Sequence, residues 1–268
     1  MQRLIRIYRF FNLLSIDVVL GAICSALFFA RIFNVGIHPQ GLLALGLTVW
    51  VVYTTDHLLD ARKVIGNAST ERHQFHQRYH RMLVPCVIAA VLTDALIVFF
   101  IRRPVLEGGM VLIAGVGIYL LVQQYTKVLK EVFIALMYTM GVLLPSVMVT
   151  GVPYHAWPWV LLMQFFLLAL TNLLLFSWFD HEFDTRDKRS SFVTIVGPGQ
   201  TRIIIIALFV ITGLLTFFSH ELRASLYLLA ADSLLLCIFL RPGFFRKADR
   251  FRLMGDAIFF ILLFYTLR

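Results

Sequence analysis

Runs of roughly 20 apolar residues recur along almost the whole chain, and very few architectures accommodate them. Nine can be marked, at 11–33, 41–59, 82–101, 105–125, 131–150, 157–179, 201–219, 223–241 and 251–267. Each is long enough to cross a bilayer as a helix, the one open-ended element that satisfies its own backbone hydrogen bonds in hydrocarbon. Pro104, Pro145, Pro153, Pro158 and Pro242 fall at or near run ends, where a missing N–H is tolerated. A soluble domain would carry about a quarter charged residues. Here 15% are charged and 60% hydrophobic, and the mean hydropathy is +0.84. The expected fold is an all-α polytopic membrane protein, a nine-transmembrane-helix bundle forming one domain over residues 1–268. The short connections contain no linker and no low-complexity tract.

The basic residues support that reading. With nine spans, the N-terminus and the connections after even-numbered spans share one side and hold 19 of the 24 Lys and Arg residues. The other side holds Arg31, Arg102, Arg103, Arg223 and Arg268. The positive-inside rule then places the N-terminus in the cytoplasm, in an inner or plasma membrane. The net charge of +9 is therefore an orientation signal and implies no nucleic-acid partner. Arg3, Arg6 and Arg9 before an apolar run resemble a signal peptide, but the run is too long and more spans follow, so a retained first helix is expected.

Cys24, Cys86 and Cys237 lie inside apolar runs at no metal or redox spacing and are expected to be packing residues. After the second span, His73, His76 and His80 recur at helical spacing on one face. A metal cluster is weighed there against a polar-faced interfacial helix, and the latter is the expectation.

Chemistry is concentrated at the ends of the second and sixth spans. Asp56 with Asp60, and Asp180 with Asp184, are spaced i,i+4, which puts each pair on one helix face about 6 Å apart. For a single pair, a solvated helix end with ion pairs such as Asp60 with Lys63 would suffice. Two copies on the same side favour a shared oxygen-ligand site of the kind that holds Mg²⁺ through carboxylates and substrate phosphates. Asp17, Asp94, Asn172, Asp232 and Asp256 lie within spans. An aspartate at the bilayer centre costs ~3 kcal/mol, so each is a candidate site residue. Asn172 and Asp256 are both near the cytoplasmic end and are expected to line one cavity, while Asp17 and Asp232 equally suit interhelical hydrogen bonding.

These motifs resemble those of the UbiA superfamily of intramembrane prenyltransferases. The family's first motif, N-x-x-x-D-x-x-x-D with a downstream Thr and Arg, is similar to Asp56, Asp60, Thr70 and Arg72, with Val64 standing where its last Asp falls. The second, D-x-x-x-D before a basic loop, a Ser and a Gly, is similar to Asp180, Asp184, Lys188, Ser191 and Gly197. After the fourth helix, Tyr125, Lys130 and Gly141 resemble a third pattern, with Glu131 in place of an Arg.

The resemblance implies a Mg²⁺-dependent transferase that moves an isoprenyl group from an isoprenyl diphosphate to a lipophilic or aromatic acceptor. Asp56, Asp60, Asp180 and Asp184 would be the catalytic metal ligands, with Asp187 a substitute for the missing carboxylate at Val64. Lys130, Arg72 and Lys188 would bind the diphosphate. The prenyl tail would lie in an apolar cavity open to membrane lipids, for which the 25 Phe residues supply lining. A terpene cyclase of the same type, or a lipid-binding or transport protein retaining the fold without the chemistry, are the alternatives.

Overall fold

The computed structural model describes residues 2–64, 66, 68–122, 127–187 and 189–267, and these contain helices and no strand. In chain order the helices are α1 (Gln2–Leu13), α2 (Ile16–Ile32), α3 (Pro39–Lys63), α4 (Glu71–Arg78), α5 (His80–Ile97), α6 (Arg103–Val122), α7 (Lys130–Val147), α8 (Trp159–Arg186), α9 (Phe192–Val196), α10 (Pro198–Phe218), α11 (Leu222–Leu240), α12 (Pro242–Phe245), α13 (Arg250–Ala257) and α14 (Leu263–Thr266). A 3-10 stretch over Ile258–Leu262 joins α13 to α14. Each expected span falls on helix within the described residues. Among the described residues, six helices are long and apolar enough to cross a membrane, or seven if the bent pair α1–α2 is one span, so the expected nine are only partly matched by this measure. The chain is an integral membrane protein.

Its first span begins later than hydropathy suggests. Ser15 adopts a left-handed conformation (φ 56°, ψ 23°) and breaks the helix, so α1 meets α2 at 78°. Along α1, Arg3, Arg6 and Arg9 recur at every third position among mostly apolar residues.

α8 is the axis of the bundle: 78% of its apolar window is buried, against 6% for α5. Phe165, Leu168 and Leu175 are fully enclosed, and α7, α10 and α11 pack around them. The peripheral helices instead expose large apolar side chains such as Phe99, Phe100, Phe217 and Phe218, which in water would be a liability and in lipid are solvated. Of the cysteines, Cys24 is buried, while Cys86 and Cys237 are exposed on the bundle surface.

Length places the chemistry. α3 has 25 residues and α8 has 28. At 1.5 Å per residue the latter runs about 42 Å, well beyond a hydrocarbon core of ~30 Å. The last turns of both helices can therefore carry aspartates at the membrane edge. Gly255 then lets α13 approach the end of α8, since a Cβ there would lie 2.5 Å from the Phe176 ring and 3.0 Å from Asn172 Oδ1.

Candidate active site

The ends of α3 and α8 meet over a single guanidinium. Arg189, three residues beyond α8, pairs with Asp60 through Nη2 and lies 3.5 Å from Asp184 Oδ1 through Nη1. One carboxylate of each motif thus faces the same cation. Lys130, the first residue of α7, lies 3.6 Å from Asp60 Oδ2 and also feels the charge of Asp56. Asp60, Asp180 and Asp184 are buried, and Asp56 is half-buried one turn before Asp60. Arg189 and Lys130 both come from outside α3 and α8.

Asp180 faces a different cation, Arg252 of α13, with which it is paired. It also lines a 60 Å³ cavity together with Thr70, Arg72, Arg9 and Arg252. Asp187 is engaged by the loop after α3: its Oδ1 accepts from the Ser69 hydroxyl at 2.6 Å and its Oδ2 from the Ser69 N–H at 3.2 Å. That staple ties the connection between α3 and α4 to the end of α8.

Arg72 is buried in a polar knot joining both ends of the chain. Its Nη2 donates to Asn12 Oδ1 at 3.1 Å and lies 3.4 Å from Asp256 Oδ2, and its Nη1 is 3.3 Å from His57 Nε2. Asn12 Nδ2 donates in turn to Asp17 at 2.5 Å and to Asp256 at 2.9 Å. Burial, and then the nearby Arg252 charge, draws the Arg72 pKa down from the usual arginine value. Asp256 and Asn172 do line one small cavity, with Tyr53 and Tyr138. Asp94 accepts from Thr48 at 2.7 Å, an interhelical bond between α5 and α3. Asp232 is buried in α11, and one of its carboxylate oxygens has no hydrogen-bond partner.

The α4 histidines are not a headgroup-facing polar stripe. His73 and His76 point inward and are buried, whereas His80, the first residue of α5, is half-exposed. Thr70 caps the helix, accepting from the His73 N–H at 3.4 Å, and its hydroxyl sits 2.7 Å from His73 Nδ1. Arg189 Nη1 lies 3.0 Å from His73 Nε2. Burial and the Arg189 charge hold the His73 pKa down at about 3, so it is neutral at pH 7, and burial likewise lowers that of His76.

Two motif departures acquire explanations. Val64 is the residue at which α3 stops, with extended ψ (121°), so it is off the helical face that Asp56 and Asp60 share. Glu131 is buried on α7 and accepts from the Phe192 N–H at 2.7 Å, capping the start of α9. Lys188 and Tyr125 lie outside the described residues. Among those described, no group of three or more His, Cys, Asp or Glu side chains is gathered to hold a metal ion. Arg189 and Arg252 are the principal site residues that sequence reasoning missed.

The arrangement defines an intramembrane helical bundle whose two longest helices carry aspartates to one edge of the membrane. Structures of a UbiA homolog from Archaeoglobus fulgidus have this same architecture. The one bound to DMAPP and Mg²⁺ is 16% identical, with a TM-score of 0.59. The one bound to GPP and Mg²⁺ is 17% identical, with a TM-score of 0.60. Each match covers 94% of this chain and 98% of the other. No family model matches the chain, and no curated protein matches it in sequence. The chain therefore has the UbiA fold.

Proposed function

We propose that this protein is a Mg²⁺-dependent intramembrane prenyltransferase of the UbiA superfamily, using an isoprenyl diphosphate and a lipophilic or aromatic acceptor. The observation that carries this reading is the convergence of Asp60 and Asp184 on Arg189. Carboxylates from two helices already face one positive group, which is the placement a hard divalent cation needs. The ligands would come from Asp56, Asp60, Asp180 and Asp184, with Asp187 adjoining. Bound there, Mg²⁺ would supply charge stabilisation to the departing diphosphate.

The protein's own groups do the rest. Lys130 and Arg189 stand beside the carboxylates and can donate to phosphate oxygens, with Arg72 and Lys188 the further basic residues expected at this end. The apolar bundle beneath, with Phe165 and Phe259 inside it, shelters the prenyl chain from water as the C1–O bond breaks and a bond to the acceptor forms. The positive-inside asymmetry puts the N-terminus and this end of the bundle on the cytoplasmic side.

The purified full chain is incubated with a labelled prenyl diphosphate, Mg²⁺ and a panel of hydroxybenzoate, naphthoate and glycerol phosphate acceptors. Mg²⁺-dependent diphosphate release with label in the acceptor supports transfer. Release with a cyclised hydrocarbon supports the cyclase alternative, and binding without release supports a carrier that retains only the fold.

A further inference from the structure

Arg189 is better placed than a mere counter-ion requires. Its backbone is fixed, the N–H donating to the Asp184 carbonyl at 2.8 Å. Its side chain, one-fifth exposed, touches a carboxylate of each motif at once. The third contact is with His73, a neutral ring, which holds the guanidinium without adding charge. Asp60 and Asp184 thus already have a cation, and a divalent ion approaching them must evict it.

Eviction has a direction. Mg²⁺ attracts each carboxylate about twice as strongly as a single charge at equal distance, but it dehydrates reluctantly. A guanidinium pushed away alone would lose its partners inside a largely buried site, which is costly. A diphosphate arriving with the ion removes that cost, because its oxygens suit the planar fork of arginine. Lys130, 3.6 Å from Asp60, is a point charge without the planar fork that lets Arg189 meet Asp60 and Asp184 through separate nitrogens.

Resting on the prenyl diphosphate reading above, we propose that Arg189 is a diphosphate-binding residue that makes metal and diphosphate binding mutually dependent. In the empty site it bridges Asp60 and Asp184. When both ligands arrive it yields the carboxylates to the ion and turns onto the diphosphate. Either ligand alone binds weakly, because each alone breaks pairs that it does not replace.

The test measures Mn²⁺ binding by electron paramagnetic resonance on the full chain in detergent, with and without inorganic diphosphate, for wild type and Arg189→Gln. Wild type is expected to bind Mn²⁺ at least about tenfold more tightly with diphosphate present. R189Q is expected to bind Mn²⁺ alone about tenfold more tightly than wild type, and to lose most of the gain from diphosphate. Arg246→Gln, which removes an exposed pair with Glu182, should change neither affinity. If R189Q does not melt cooperatively, Arg189→Met replaces it; it too removes the cation between the carboxylates, so tighter Mn²⁺ binding alone is again expected. Equal Mn²⁺ affinity in wild type and variant, with the diphosphate gain intact, overturns the proposal and leaves the prenyl diphosphate reading standing. Tight diphosphate binding by wild type without any divalent ion overturns it too. No Mn²⁺ binding under any condition overturns the prenyl diphosphate reading as well.

Discussion

Arg252 of α13 is paired with Asp180 of α8, so a helix near the C-terminal end of the sequence supplies a cation to the second aspartate motif. Both side chains are almost enclosed, at 14% and 11% exposure. Asp180 is therefore part of the scaffold as well as of the proposed metal site. Removing one partner of a buried pair costs about 3–5 kcal/mol, whereas replacing both by apolar groups is often neutral. Asp180→Asn is expected to abolish Mg²⁺-dependent diphosphate release and to lower Tm. Adding Arg252→Met should restore Tm without restoring release. A calorimetric double-mutant cycle checks this, and additive losses of stability would show that the pair is not coupled.

The first motif makes a separate prediction. Asp56 stands where the resembled pattern has a neutral Asn, and Val64 where it has a carboxylate. Because α3 stops at Lys63, a carboxylate introduced at 64 would leave the helix at a different angle from Asp60. Asp56→Asn should weaken Mg²⁺ dependence by about tenfold, the loss of one charged ligand, while Val64→Asp should recover little of it. Titrating Mg²⁺ against prenyl diphosphate binding in both variants checks this. An unchanged midpoint in D56N would reduce Asp56 to a helix-end charge.

Gly255 sets the distance between α13 and α8. An alanine there would drive its methyl group into the Phe176 ring, which is itself packed edge-on against Phe251. Overpacking of this kind costs about 1–3 kcal/mol. Gly255→Ala should lower Tm and weaken diphosphate binding together, since any displacement of α13 carries Arg252 away from Asp180. A drop in Tm with unchanged diphosphate affinity would separate the packing from the site.

Stability should fall on acidification through His73 and His76. The folded-state pKa of His73 is lowered to about 3, and that of His76 is also lowered. An unfolded chain protonates both near pH 6.5. Below that value the unfolded state binds more protons than the folded one, so stability present above pH 6.5 is lost as pH falls toward 3. Between pH 7.5 and 5, His73→Asn should lose less Tm, or gain more, than wild type, as thermal unfolding of the two side by side would show.

Much of the bundle was legible because hydropathy reports burial in lipid directly, and aspartates at i,i+4 on a helix end leave little freedom in where they point. The cations were not. Arg189 lies in a basic connection and Arg252 at the very start of the last expected span, where membrane orientation already accounts for basic residues, so no periodicity distinguished these two that turn inward. The α4 histidines were assigned to the wrong surroundings for a similar reason. A polar face looks the same in sequence whether it meets headgroups or a buried arginine. The break at Ser15 left no mark either, since a serine inside an apolar run does not announce a left-handed backbone.

Glu131 carries a warning for anyone redesigning this protein by consensus. Residue-by-residue comparison with UbiA-type motifs would nominate arginine at 131 as a repair, placing a second basic group beside Lys130. The same change would delete the carboxylate that accepts from Phe192 and put a positive charge against the N-terminal amides of α9, where the backbone dipole is already positive. An apparent correction toward the family would thus dislodge the chain between α8 and α10. Of these two adjacent residues, Lys130 faces the Asp60 carboxylate, and Glu131 holds the backbone of α9.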